Sequence, residues 1–128
     1  MFRLILGIYL TFIMVMFMRC EKVSEIDELV KQTDRIQVVF NSNLGAYTDI
    51  TERKEIRKFD EFITDEETPI YKCGYDGYMT FFTEHGSIRM DFNLQDDCVH
   101  VLYPYAQGLE TRLISPSGVE YLLSIAPK

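Results

Sequence analysis

The chain of 128 residues has no tryptophan, only two histidines and three cysteines, and it lacks several motifs of common chemistry. It contains no G-x-x-x-x-G-K-S/T, G-x-G-x-x-G or G-x-S-x-G sequence, so nucleotide binding and the familiar hydrolase reactions are not indicated. No C-x-x-C or H-x-x-x-H spacing is present, and we predict no metal site and no cofactor. Asp76, Asp91, Asp96 and Asp97 lack the EF-hand calcium pattern, and acidic residues at turns ordinarily cap them.

Positive charge is also scarce. Residues 1–20 hold two of the 13 Lys and Arg residues and none of the 20 Asp and Glu residues, so residues 21–128 have 11 basic and 20 acidic groups and a net charge of -9. Such a surface repels phosphate backbones, and no Lys/Arg stripe is interleaved with aromatic residues, which excludes nucleic-acid binding. The acidic balance either serves solubility alone or favours a basic protein partner.

Residues 1–20 have the composition of a targeting segment. Arg3 is followed by an apolar run over residues 4–18 that only Thr11 interrupts. As a helix this run would span about 22 Å, which is short of the roughly 30 Å hydrocarbon core of a bilayer. The length fits the apolar region of a signal peptide better than a stable transmembrane helix. We therefore predict that residues 1–20 are a signal peptide or membrane anchor and that residues 21–128 form one small domain.

Cys20 ends this segment at the place of the modified cysteine in bacterial lipoprotein signals, which residues 1–20 resemble. The pattern differs at Phe17, Met18 and Arg19, where such signals have an aliphatic residue followed by small ones. The resemblance implies lipidation of Cys20 and a place in the bacterial cell envelope, membrane-anchored or periplasmic. In its overall plan the chain is similar to uncharacterised small bacterial lipoproteins. An uncleaved short membrane anchor and an internal core helix remain alternatives for the segment.

The other two cysteines, Cys73 and Cys98, each lie next to a turn signal. In an oxidising compartment we expect them to pair, closing a loop of about 25 residues and stabilising the fold by roughly 3 kcal/mol. In the cytosol they would instead be two unpaired, partly buried thiols.

Apolar periodicity predicts three helices. The first covers residues 24–33, with Ser24 and Asp27 resembling a capping box. Thr51 is the expected cap of the second, and Ser115 followed by Pro116 opens the third. The expected inner faces are Ile26, Leu29 and Val30 in the first helix, Ile56, Phe59, Phe62 and Ile63 in the second, and Val119, Leu122, Leu123 and Ala126 in the third.

The remaining pattern is β. Residues 87–93 alternate between apolar Ile88, Met90 and Phe92 and charged Arg89 and Asp91, as in a half-buried antiparallel strand. Other β-rich segments are residues 35–41, 46–50, 78–82, 98–103 and 109–114. The fold class that these elements predict is α+β, an antiparallel β-meander of three to five strands with helices packed on one face.

Catalysis finds little support in the sequence. The candidates are Cys73 or Cys98 with His85 or His100, and on a strand Cys98 and His100 would share a face. Pairing of the two cysteines would remove the nucleophile, so we predict that the protein is not an enzyme and name no catalytic residue.

The most distinctive stretch is YKCGYDG at residues 71–77, in which Gly74 and Gly77 bracket a tight turn. The predicted interaction surface comprises Tyr75, Asp76, Tyr78, Tyr103 and Tyr105, because tyrosine combines apolar area with a hydroxyl group at low entropic cost. The alternative is that these tyrosines pack over the sheet and around the disulfide.

Together these features favour a non-enzymatic binding module of the envelope, held at the membrane by its N-terminal segment. A specific form is an inhibitor or immunity-type protein directed against a basic enzyme. The alternatives are a structural or assembly subunit of an envelope complex and a small enzyme or ligand carrier.

The intact mass of the native protein, extracted from membranes of its host, tests the targeting segment. We expect a chain that begins at Cys20 and bears acyl groups, with Cys73 and Cys98 alkylated only after reduction. A full-length mass would contradict lipidation, and free alkylation of both domain cysteines would contradict the disulfide.

Overall fold

Six strands lie in the part of the chain that the structure, a computed structural model, describes, residues 25–128. They are β1 (Thr33–Phe40), β2 (Thr48–Ile50), β3 (Gly77–Thr83), β4 (Gly86–Asn93), β5 (His100–Tyr105) and β6 (Gly108–Arg112). All neighbours are antiparallel, in the order β2-β1-β3-β4-β5-β6. The α+β class is thus confirmed. The expected count of three to five strands is too low, because β1 and the short β2 join the sheet beside the later meander.

The strand register sorts side chains onto two faces of the sheet. Phe40, Gly77 and Phe92 lie opposite one another, and Val101 and Arg112 continue this row across β5 and β6. Because side chains alternate along a strand, the neighbouring residues point to the opposite face. The first face carries the core, with buried Ile36, Val38, Met79, Phe81 and Met90 beside the row. We call the other side the outer face.

Helices supply the second half of the core. They are α1 (Glu25–Gln32), α2 (Arg53–Arg57), α3 (Phe59–Phe62) and α4 (Pro116–Ile125). Their buried apolar side chains are Ile26 and Val30 from α1, Ile56 from α2, Phe59 and Phe62 from α3, and Leu122 from α4.

None of the helices within residues 25–128 has the length and apolar character of a membrane span. The predictions for residues 1–20, Cys20 and Ser24 lie outside the described residues.

The second predicted helix forms as two short pieces, α2 and α3, joined at Lys58. Thr51 is not its cap, so that prediction is wrong: α2 begins after Glu52, whose side chain makes no capping bond. The start of α2 is instead tied to the end of α1, because the Arg53 guanidinium donates hydrogen bonds to the carbonyl oxygens of Thr33 at 2.7 Å and Lys31 at 2.6 Å. Carbonyl oxygens at a helix end lack donors within the helix, and the Arg53 guanidinium provides the missing donors.

The start of α4 is as predicted. The Ser115 hydroxyl accepts a hydrogen bond from the Gly118 N–H at 3.2 Å, and Pro116 opens the helix. Leu122 is buried, but Leu123 is 57% exposed, so its predicted place on the inner face is wrong. Tyr121 packs there instead, with its ring centroid 5.0 Å from that of Phe62.

The chain between α3 and β3, residues 64–76, is called the crossing segment here because it passes from the sheet edge to the outer face. At the edge, the Thr64 N–H donates to the Leu113 carbonyl at 2.9 Å. Further along, the Thr68 N–H donates to the hydroxyl of Thr111, which the register places on the outer face. The crossing segment therefore covers part of the face that the helices leave open.

Gly118 marks the closest approach of α4 to α3. A Cβ atom at this position would lie 2.7 Å from Ile114 Cγ2 and 2.9 Å from both the Cβ and the carbonyl oxygen of Phe62. We predict that Gly118→Ala lowers the free energy of unfolding by about 1–2 kcal/mol, because overpacking outweighs the better helix propensity of alanine. Urea denaturation measures this, with Glu120→Ala on the exposed side of α4 as control. Equal or higher stability of Gly118→Ala would contradict this packing.

Candidate functional site

The crossing segment is fastened to the turn between β4 and β5. Cys73 and Cys98 form the predicted disulfide, with Cα atoms 6.4 Å apart. Beside it, the Asn93 side-chain amide donates a hydrogen bond to the Gly74 carbonyl oxygen at 2.7 Å. Asn93 and His100 are register partners on the outer face, and both are buried beneath this attachment.

His100 is enclosed at this attachment and has an accessible fraction of 0%. Its Nδ1 lies 2.6 Å from the carbonyl oxygen of Cys98, an acceptor, so Nδ1 is the protonated nitrogen. The rings of Tyr71 and Tyr75 contact it at centroid distances of 5.1 and 5.5 Å. Nε2 is buried and has no hydrogen-bond partner among residues 25–128. The imidazole is thus walled off from solvent by the crossing segment.

The sequence raised Cys98 and His100 as a candidate catalytic thiol and base. Cys98 and His100 are neighbours in the structure, but the Cys98 sulfur is bonded to Cys73 and is no free thiol. The contact between the two residues runs through the Cys98 backbone carbonyl rather than its sulfur. This arrangement orients the ring and closes the turn.

Asp76 is held at the start of β3 by several hydrogen bonds. Its carboxylate accepts from the Leu94 N–H at 2.6 Å and from the Gln95 side-chain amide at 3.4 Å. Its backbone carbonyl accepts from the Asn41 N–H at 2.9 Å. A carboxylate has about four lone-pair sites, so Asp76 keeps the capacity to accept further hydrogen bonds. The result is a negative charge in a fixed position.

A cleft of about 290 Å³ opens beside Asp76. Its apolar lining residues, Phe40, Leu94, Leu123 and Ala126, come from β1, the turn after β4 and the end of α4. Its polar lining residues are Asn41, Ser42, Tyr75, Asp76 and Gln95. Phe40 also lines a smaller cleft of about 150 Å³ with Tyr47, Ile125 and Pro127. Both clefts lie at the end of the sheet where β1 finishes and β3 begins.

Two of the five predicted surface residues, Tyr75 and Asp76, meet in this cleft. Burial, with a smaller contribution from the charge of Asp91, raises the pKa of Tyr75 above its ordinary value, so its hydroxyl remains neutral. The sequence reasoning missed Phe40, Leu94 and Leu123. Leu123 carried a signal, since it adjoins Leu122 and two adjacent helical residues point about 100° apart.

The structure does not bring the other three tyrosines to the cleft. Tyr78 lies on the outer face under the Arg89 guanidinium, which is 3.8 Å from its ring centroid. Tyr105 lies at the β5–β6 turn. Tyr103 is only 3% exposed and points to the core face, where its hydroxyl lies 3.5 Å from a Glu25 oxygen and burial raises its pKa to about 12. Its assignment to an exposed surface is therefore corrected.

A further cleft of about 210 Å³ lies between α1 and the α2–α3 pair. Its charged groups already contact one another, since Lys31 pairs with Asp27 at 3.2 Å and Arg53 caps α1. Burial, followed by the negative charge of Asp27, raises the pKa of Asp60.

Among residues 25–128, no three His, Cys, Asp or Glu side chains are grouped so as to hold a metal ion.

No protein-family model matches this chain, and no curated protein or solved structure matches it either. Two features therefore bear on function. One is the cleft, with its fixed carboxylate and apolar lining residues, and the other is the acidic balance of the chain.

Removing the disulfide should loosen one wall of the cleft. We expect the double variant Cys73→Ser/Cys98→Ser to lose about 3 kcal/mol of unfolding free energy, because the unfolded chain regains the freedom of a 25-residue loop. Amide hydrogen exchange at residues 74–76 should quicken more than exchange in α1. Cys20→Ser is the control that keeps the pair. Unchanged stability and exchange would show that the disulfide does not hold the crossing segment.

Proposed function

We propose that this protein is a non-enzymatic binding module of the bacterial cell envelope that recognises a basic protein through the cleft beside Asp76. The observation that carries the proposal is that a fixed carboxylate and an exposed apolar side chain line the same cleft. Asp76 is held by the Leu94 N–H, and Leu123, which is 57% exposed, is another of the lining residues. A partner that covers this cleft would bury apolar surface and reach a hydrogen-bonding carboxylate at the same place.

The cleft suits a lysine or arginine side chain. Such a side chain has an apolar stem and a cationic end, and it lies favourably along apolar surface while its charge meets a carboxylate. Here the stem would lie on Leu123 and Phe40, and the cation would reach Asp76.

Long-range charge supports a basic partner as well. Residues 21–128 have 11 basic and 20 acidic groups, and this excess attracts positively charged proteins and speeds their association. A basic hydrolase or a basic secreted toxin is a partner of this kind, so an inhibitor or immunity-type role is the specific form that we propose.

Two further observations favour binding over catalysis. The disulfide engages the sulfurs of Cys73 and Cys98, and His100 is enclosed by Tyr71 and Tyr75. The envelope location rests on residues 1–20, whose apolar run and terminal Cys20 would hold the domain at the membrane where such partners arrive.

The test is capture of basic envelope and secreted proteins from the host by the detergent-solubilised full chain, followed by affinity measurement with two variants and a control. Asp76→Asn removes the charge but keeps a carbonyl oxygen for the Leu94 N–H, and Leu123→Lys places a positive charge in the cleft. We expect each to weaken binding about tenfold or more, since a hydrogen bond to a charged group contributes about 1.5–3 kcal/mol.

Ile70→Lys is the matched control. It adds the same charge at a similarly exposed aliphatic side chain, 62% against 57%, that does not line the cleft. Failure to capture any basic protein would contradict the proposal, as would equal losses in Leu123→Lys and Ile70→Lys. A captured protein that stays in a stable, stoichiometric envelope complex would instead favour the assembly-subunit role.

A further inference from the structure

We propose that the tip of the β5–β6 hairpin, residues 104–109, inserts end-on into the headgroup region of the bilayer that holds the N-terminal segment. The inference rests on the proposed envelope location, and it adds the orientation of the domain on the membrane. The proposed binding partner of the tip is the lipid surface itself. The observations behind it are the place where the chain enters the domain, the composition of the tip and the exposure of two side chains.

The chain enters the domain at the β5–β6 side of the sheet. A Glu25 carboxylate oxygen lies 3.7 Å from the Arg112 guanidinium of β6 and 3.5 Å from the Tyr103 hydroxyl of β5. Only four residues separate Cys20 from Glu25, and a chain of this length spans at most about 18 Å between their Cα atoms. Whether Cys20 is acylated or ends an uncleaved anchor, β5 and β6 therefore lie close to the lipid.

The tip has the composition of a membrane-contacting loop. Its sequence, Pro-Tyr-Ala-Gln-Gly-Leu, has no charged residue in a chain where 26% of residues are charged. Tyr105 is 45% exposed and Leu109 is 59% exposed. Tyrosine and leucine are favoured where an apolar body meets the headgroup region. By contrast, the β3–β4 turn at the same end of the sheet contains Glu84 and His85.

The geometry of the hairpin explains the end-on orientation. Tyr105 pairs with Gly108 and Leu109 pairs with Pro104, so Tyr105 and Leu109 point to opposite faces at nearly the same distance from the turn. A hairpin lying flat would expose one of them to lipid, whereas an inserted tip places both at one depth. Ala106 in the turn adopts a φ of 53°, a left-handed conformation that glycine or asparagine ordinarily favours.

Electrostatics favour shallow apolar insertion over attraction to anionic lipid. The Arg112 guanidinium, the cation near this edge, lies within 4 Å of carboxylates from Glu25, Glu67 and Glu110. The acidic chain as a whole would be repelled by an anionic surface. An uncharged tip adds no repulsion of its own. Inserted end-on, it directs the cleft at the other end of the sheet away from the membrane, where a protein partner has access.

The absence of tryptophan provides the experiment. Full-length Tyr105→Trp and Leu109→Trp are each reconstituted into vesicles of phosphatidylethanolamine and phosphatidylglycerol, with and without lipids brominated near the headgroup end of the acyl chains. Leu44→Trp, at a side chain that is 70% exposed near the cleft end, is the matched control. We expect both hairpin tryptophans to emit at shorter wavelength and to be quenched by bromine several-fold more strongly than Trp in Leu44→Trp.

Flotation of the vesicles separates the ways in which the proposal can fail. If the chain floats with the vesicles but fewer than two hairpin tryptophans are quenched, or the control is quenched equally, the end-on orientation is wrong while membrane attachment holds. If the chain does not float, both the attachment and the orientation are overturned.

Discussion

The attachment of residues 73–76 to the turn after β4 is the constraint on which the rest of the structure depends. The Cys73–Cys98 disulfide, the Asn93–Gly74 hydrogen bond and the Asp76–Leu94 hydrogen bond act over a few consecutive residues. They determine where β3 begins, and β3 is a central strand of the sheet. They also hold the segment whose Tyr71 and Tyr75 enclose His100, and they place Tyr75 and Asp76 at the cleft.

The two ends of the sheet carry surfaces with different chemistry. At one end are the cleft, the fixed Asp76 carboxylate and the exposed Leu123. At the other end is the uncharged β5–β6 tip, on the side where Glu25 receives the chain from residues 1–24. In the proposed arrangement only four residues link Cys20 to Glu25, so the domain would have little freedom to turn, and its anchor and partner surface would have to lie apart. The two proposals are consistent with each other because the antiparallel register places their residues at opposite ends of the strands.

Much of the fold could be predicted because local chemistry agreed with it. The alternation of residues 87–93, the apolar stripe of α2 and α3, and the Ser115–Pro116 start of α4 all have direct physical signals, and so did the pairing of Cys73 with Cys98. The predictions that were wrong concern Thr51, Tyr103 and Leu123, and each depends on contacts between elements that are distant in the sequence. Arg53 at the start of α2 donates to carbonyl oxygens at the end of α1, the Tyr103 hydroxyl lies beside Glu25 of α1, and Tyr121 rather than Leu123 packs against Phe62. Asp76 stands between two glycines in a distinctive stretch of the sequence, but the other lining residues of its cleft come from three separate elements that no local pattern connects.

The central claim is that the cleft beside Asp76 is the surface that contacts a basic protein. Hydrogen–deuterium exchange of the vesicle-bound full chain, with and without a captured basic protein, tests it most directly. The account predicts slower exchange on binding at residues 40–42, 75–76, 94–95 and 123–126, with the outer face and the β5–β6 tip unchanged. Protection confined to β5 and β6 or to the outer face would contradict it.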